Sequence, residues 1–253
     1  MIQPFLTHLR DRAGKAEIIV ADGGSTDHTA ELATALCHRV VHATAGRAAQ
    51  LNAGAHAARG EILWFLHVDV RVPTECLNEI RRIMGSPGVA GGFFRIRLPR
   101  SQPIYRLTDG FAHYAGLLLG MRCGDHGIFC RRSVFIEVGG FPEVPLMEDV
   151  EFFRRLRRRG RVRHSRERIV VSPRRYEAIG RARLTFAYGL IATLYLFGAP
   201  LPALAVMYQR SCCDARDRNI CSVPTGQLTE NQKKHPTEEK HAAAIDNSAA
   251  ESA

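Results

Sequence analysis

Four short stretches combine residue types and spacings that could carry chemistry. In ADGGSTDHT (21–29), Asp22 ends an apolar strand, two glycines turn the chain, and Ser25, Thr26 or Asp27 caps the next helix. This is either a plain strand-to-helix turn or the crevice edge of an open α/β sheet, where Asp22 would accept hydrogen bonds from a base or ribose. In GRAAQLNAG (46–54), Arg47 stands at a helix N-terminus, where its charge opposes the helix dipole unless an anion sits nearby. In GEILWFLHVDVRVP (60–73), a buried apolar strand ends in His67, Val68 and Asp69. A spacing of two puts His67 and Asp69 on one face of a strand. A carboxylate with an imidazole can hold Mn²⁺ or Mg²⁺ against a diphosphate, and the alternative is that Asp69 caps the turn before Pro73. In PLMEDVEFF (145–153), Glu148 and Asp149 open a helix, a position the dipole favours for acids. Beyond that preference, one of them could act as a general base beside an acceptor hydroxyl.

These residues need a scaffold, and residues 17–69 supply an alternation of strand and helix patterns. EIIVA (17–21), RVVHA (39–43) and EILWFLHVD (61–69) are apolar strand patterns, separated by helical STDHTAELATALC and AAQLNAGAHAARG. Continuous apolar strands between helices predict a mostly parallel sheet covered on both faces. Pro73 suits the first turn of a helix reaching about Met84, and VAGGFFRIRLP (89–99) reads as a further strand. Residues 105–119 read as a helix, GIFCRRSVFIEVGGF as a strand and short helix, and RIVVS (168–172) as a late strand. In LMEDVEFFRRLRRRG, Val150, Phe153 and Leu156 recur at helical spacing, and arginines fill the other face.

The chain of 253 residues has a net charge of +10. From Ser211 onward five basic residues face seven acidic ones, which leaves +12 on the first 210 residues. A folded region this basic suits a polyanionic ligand, an anionic membrane or a nucleic acid. No aromatic interleaving or nucleic-acid motif accompanies the arginines, so nucleic acid is not expected as a partner. No G-x-G-x-x-G follows a strand, which excludes the usual dinucleotide-binding turn. The seven cysteines lack a C-x-x-C pair, a pattern that points to a reducing, cytoplasmic setting rather than a disulfide scaffold. Beyond Arg210 the composition turns polar and predicts a disordered tail.

Residues 184–208 contain no charged side chain, but Gly198, Pro200 and Pro202 interrupt the run. The uninterrupted part is short for a bilayer span. It predicts a helix that packs on the preceding domain or lies in the membrane interface.

The order of these pieces resembles the family 2 glycosyltransferases of GT-A fold, a Rossmann-like α/β architecture. The series is a strand with DGGSTD, then GRAAQLNAG, FLHVD, GDHGIFCRRSVF, GGFPEVPLMEDVEFFRRLRRRG and RRY, and it looks most like the bacterial arsenosugar-biosynthesis branch. The resemblance implies inverting transfer of a sugar from a nucleotide-diphosphate donor. It implies that Asp22, with Gly23 and Ser25 of its turn, contacts the nucleotide, and that Asp69 and His67 stand at the Asp-x-Asp metal motif for Mn²⁺ or Mg²⁺. Asp149, beside Glu148, matches the catalytic base. Arg175–Tyr176 resembles an Arg-Trp pair near the diphosphate, and Arg47, Gly124 and Asp125 line the expected cleft.

The implied division is a catalytic domain over 1–183, an apolar helical segment over 184–210 and a disordered tail over 211–253. The family pattern begins with a strand and a Pro-x-x-Asn-Glu-type turn ahead of EIIVA, so the chain is expected to start one strand late. The acceptor is expected to be a small polar metabolite or a lipid such as a carotenoid acid, met by peripheral contact at the inner face of the cell membrane. The competing expectation is a non-catalytic basic protein that binds membrane or nucleic acid on a degenerate transferase fold.

Overall fold

Short β-branched runs become strands because their side chains pack well on a pleated, half-buried surface. β1 (Ile19–Asp22) and β2 (Arg39–His42) pair in parallel, from Ile19 opposite Arg39 to Asp22 opposite His42. The short helix α2 (Thr29–Thr34) makes the crossover between them. Before this unit, α1 (Ile2–Ala13) buries Ile2, Leu6, Leu9 and Ala13, a single helical stripe. The computed structural model describes residues 2–98, 105, 110, 122 and 124–212. The expected helix over 105–119 and the expected tail therefore fall, almost entirely, outside the described residues.

The second sheet has the order β3–β6–β5–β7–β4, formed by β3 (Ile62–Trp64), β4 (Val70–Arg71), β5 (Val89–Arg97), β6 (Phe129–Arg131) and β7 (Arg161–Val171). The mostly parallel expectation holds for β1 with β2 and for β5 with β7, while β3–β6, β5–β6 and β4–β7 run antiparallel. The α/β class stands, and the sheet is mixed. Gly91 and Gly92 sit where β5 crosses β6, and a Cβ on either would come within 2.4 Å of Phe129. Only glycine permits that approach.

Two sequence expectations change in extent. The third strand ends at Trp64, so His67 and Asp69 lie in the turn between β3 and β4 rather than on a strand face. The reason is that the strand's ladder with β6 stops at Trp64–Phe129. Conversely, the late strand begins at Arg161 and runs the full length of β5, because its parallel partner supplies the hydrogen bonds.

Further α-helices are α3 (Arg47–Ala57), α4 (Cys76–Met84), α5 (Arg132–Glu137), α6 (Glu148–Arg159), α7 (Arg174–Ile179), α8 (Arg181–Leu196) and α9 (Leu201–Cys212). A main core joins α1, α4, the sheet and the inner faces of α8 and α9. A second, aromatic core of Phe93, Phe135, Phe141, Phe152 and Phe153 fixes α5 and α6 against the sheet. Among the described residues, no helix is long and apolar enough to cross a membrane.

Candidate active site

Helix α3 ties the candidate residues together through three polar side chains. Arg47, its first residue, places Nη1 3.6 Å from Glu148 Oε1 at the start of α6. Gln50 donates to the Ala21 carbonyl at 3.2 Å, and its amide lies so close to Gly23 that a Cβ there would be 2.9 Å away. Asn52 donates to the Phe141 carbonyl at 2.9 Å and accepts from the Phe141 N–H at 2.8 Å. One helix thus sets the turn after β1 and the loop that feeds α6.

The turn after β1 is a carboxylate cradle. Ser25 Oγ donates to Asp22 at 2.5 Å, and the N–H groups of Gly24 and Ser25 donate at 3.2 and 3.1 Å. The Ser25 hydroxyl is the main cause that holds the Asp22 carboxyl below its ordinary pKa, against the opposing effect of burial. His42 stands 3.7 Å from the same carboxylate.

A second group gathers around Arg47. Glu148 and Asp149 are buried in the first turn of α6, and Asp149 Oδ1 accepts the Val150 N–H at 2.7 Å. The Arg47 side chain is half exposed; partial loss of water around its guanidinium would weaken the charge, but Glu148, with Tyr208, Asp149 and Asp125, more than offsets it and raises the pKa. Burial raises the Asp69 pKa and the Asp125 charge raises it further, while His67 and Arg47 partly oppose the shift. His67 is driven down to about 4 by burial and by Arg47, so its imidazole is neutral near pH 7.

The turn before α6 carries strain. Among the described residues, Met147 is the non-glycine residue with a left-handed backbone, at φ 67°. Such a conformation costs about 1–3 kcal/mol and persists where surrounding structure enforces it. Leu146 and Val150 on either side are buried in the main core, and Met147 itself packs against that core.

Arg175, on α7, reaches back to the C-terminal helices. Its Nη2 donates to the Cys212 carbonyl at 2.8 Å, and its guanidinium lies 5.5 Å from the Tyr208 ring centre. Tyr188 of α8 stacks on Tyr208 of α9 at 6.3 Å, and Tyr176 packs edge-on between Tyr105 and Tyr188. The Arg175 pKa is lowered by burial but raised more by Tyr188 and Tyr208, while Arg47 acts in the opposite direction. The two guanidiniums therefore feel each other across the site.

The sequence-predicted residues thus form two neighbouring groups. Arg47, His67, Asp69, Asp125, Glu148 and Asp149 interact electrostatically, with Arg175 on their border. Asp22, Gly23 and Ser25 make the separate turn that Gln50 anchors. Tyr176, next to Arg175 in the chain, packs edge-on against Tyr188. Sequence reasoning missed Gln50, Asn52, Tyr188 and Tyr208. The available signal was the GRAAQLNAG stretch itself, whose amides lie three and five residues after Arg47. Nothing local marked the tyrosines. A shallow groove lined by Arg82, Ile83, Val162, Arg163, His164 and Arg166 lies between α4 and β7 and includes no residue of either group.

Among the described residues, no three His, Cys, Asp or Glu side chains form a ready metal cage. The carboxylates of Asp69 and Asp125 nevertheless repel each other, which is the electrostatic condition that a cation relieves.

The fold is similar to that of several solved glycosyltransferases. A mannosyltransferase from Pyrobaculum calidifontis, in complex with GDP-Man and Mn²⁺, superposes with a TM-score of 0.59 at 20% identity, covering 83% of this chain and 65% of that one. S. aureus TarS, in complex with UDP-GlcNAc, gives 0.54 at 15% identity over 87% of this chain and 66% of that one. Glucosyl-3-phosphoglycerate synthase from Mycobacterium tuberculosis, in complex with Mn²⁺, uridine-diphosphate-glucose and phosphoglyceric acid, gives 0.54 at 17% identity over 79% and 77%. The chain spans slightly under two thirds of the first two proteins, and at these identities the likeness is one of GT-A fold. No protein of curated function matches the chain by sequence. A sequence profile described as Glycosyl transferase family 2 matches residues 1–137. That match covers more than half of the chain, which therefore belongs to glycosyl transferase family 2.

Proposed function

We propose that the protein transfers a sugar from a nucleotide-diphosphate donor to an acceptor hydroxyl or carboxyl group, with inversion at the anomeric carbon. The observation that carries this reading is the gathering of four carboxylates and a guanidinium, with a second guanidinium at the border, from separate elements of a GT-A fold. Asp22, Gly23 and Ser25 meet the nucleotide, with Asp22 kept ionised by its three donors. Arg47 and Arg175 face the diphosphate, whose charge rises as it departs. Asp149 accepts the proton of an acceptor hydroxyl as its oxygen bonds to the anomeric carbon and the carbon–phosphate oxygen bond breaks. Glu148 holds Arg47 in place. The proposed catalytic unit spans 1–183, with 184–210 as an attached helical segment.

The donor set fits Mn²⁺ or Mg²⁺. Such ions bind through one or two carboxylates plus substrate phosphates rather than a closed protein cage, and Asp69 beside Asp125 offers that arrangement. Asp69 would hold the ion, with the neutral His67 nitrogen beside it. Bound there, the ion would neutralise charge on the donor's phosphates. The acceptor is a small polar metabolite or a lipid such as a carotenoid acid, the latter met by peripheral contact with the cell membrane.

Asp149→Asn tests the reading. Turnover is expected to fall by about 10²–10⁴-fold, the usual worth of a positioned base, while nucleotide-diphosphate binding persists in calorimetry. Comparable turnover in the variant removes Asp149 from the role. A wild-type protein that binds anionic vesicles or nucleic acid, yet consumes none of a panel of nucleotide sugars, would instead be a non-catalytic binder.

A further inference from the structure

Helix α8 is apolar on two faces, and only one of them is covered. Leu184, Ala187, Ile191 and Tyr195 form its buried stripe. On another face Phe186 is 73% exposed, Leu190 41% and, at the helix end, Phe197 86%. These three follow the four- and seven-residue spacing of a single stripe. A helix that is hydrophobic all round belongs in a core or in lipid, yet this one lies at the surface. The exposed Leu196 and, on α9, Val206 add to the same helix pair.

Charge indicates what the stripe meets. From Ala178 to Cys212 the sequence contains no acidic residue, and its basic residues are Arg181, Arg183 and Arg210. All three are exposed. Tyr188, midway along α8, stacks on Tyr208 of α9, and Arg175, just before α8, bonds the carbonyl of Cys212 at the end of α9. Arg181 and Arg183 therefore lie toward the same end of the pair as Arg210, and Phe197 lies toward the other. A protein partner would be expected to meet some acidic complement on such a surface; an anionic bilayer needs none. An exposed apolar stripe with arginines at one end suits the headgroup–acyl boundary, where apolar burial and attraction to anionic lipid act together.

We infer that the α8–α9 pair docks the protein on anionic membrane through Phe186, Leu190 and Phe197, with Arg181, Arg183 and Arg210 against lipid phosphates. The inner side of the same pair carries Tyr188 and Tyr208 beside Arg175. Docking therefore brings the candidate active site next to the lipid surface. The inference extends the lipid-acceptor form of the proposed function, but docking is read without donor turnover, so the two fail separately.

Co-sedimentation of the full chain with phosphatidylglycerol–phosphatidylcholine vesicles tests it. Wild-type protein is expected to bind these vesicles and to bind pure phosphatidylcholine about tenfold less well. The F186E/F197E double variant should weaken binding about tenfold or more, with its helical circular dichroism and nucleotide-diphosphate binding retained. R183Q/R210Q, which leaves the apolar stripe intact, should lose the preference for anionic vesicles. Absent vesicle binding, equal binding to both vesicle types, or undiminished binding by F186E/F197E would overturn the inference. So would a dimer, seen by analytical ultracentrifugation, that F186E/F197E dissociates, because the stripe would then belong to a second copy of the chain.

Discussion

Asp69 shows how an unfavourable residue becomes informative. A carboxylate crowded by burial and by Asp125 is destabilised as an anion, so its place in the turn between β3 and β4 costs free energy. Its backbone carbonyl, not its side chain, accepts the Ser172 N–H at 2.9 Å and secures the turn. A divalent ion would reverse the balance. Mn²⁺ is accordingly expected to tighten nucleotide-diphosphate binding, and Asp69→Ala to abolish the enhancement while leaving metal-free binding within about twofold. Calorimetry with and without Mn²⁺ checks this, and equal metal dependence in both proteins would refute the assignment. The types and spacing of His67 and Asp69 were legible in the sequence. Their placement in a turn was not, because the strand's length depends on where β6 stops pairing with it.

At the scale of elements, α3 matters more than its length suggests. Asn52 satisfies both backbone groups of Phe141 and so fixes the loop leading into α6. Asn52→Ala would strip those partners away, and an unpaired buried polar group costs about 1–3 kcal/mol. The variant is expected to lose about 2 kcal/mol of stability in urea unfolding. Turnover should also fall about tenfold or more, because Asp149 and Glu148 sit a few residues downstream and small misplacements are costly to catalysis. A variant with wild-type stability and turnover would show the clamp to be dispensable. Helix α6 was visible from its apolar spacing and its basic outer face. β7 was only half visible: RVRHSRE offers no apolar strand pattern, and its first residues extend because β5 lies alongside. Tyr188 and Tyr208 were hidden for the same reason, since only the folding back of α9 on α8 brings them together.

For the molecule as a whole, α4 and the sheet are joined by a buried carboxylate. Glu79 accepts from Arg82 at 2.7 and 2.9 Å, from the Arg166 N–H at 2.6 Å and from Ser165 Oγ at 3.3 Å. The Arg82 bonds are the largest cause that holds its pKa at about 2, and burial opposes them. A depressed carboxyl pKa gives stability that is fully present above the unfolded value near 4.5 and is lost as the pH falls toward 2. Because Arg82 is half exposed, about 2 kcal/mol is a fair measure of that stability. Glu79→Gln should therefore lower stability at pH 7 by about that amount and flatten its decline between pH 5 and 2 in urea titrations. An unchanged acid limb would show Glu79 to be a bystander. The α/β class was legible from the alternation of patterns up to Asp69, whereas the strand order was not, because it is set by pairings distant in sequence. The parallel pairing of β5 with β7 has a consequence in time. Its seven matched positions, from Val89–Arg161 to Arg97–Val170, join segments some seventy residues apart. Closing so large a loop is entropically slow, whereas β1, α2 and β2 can meet within one short stretch of chain. The sheet that frames the candidate active site is thus expected to close late in folding, and until it does the chain presents the apolar edge of β5 to whatever else is nearby.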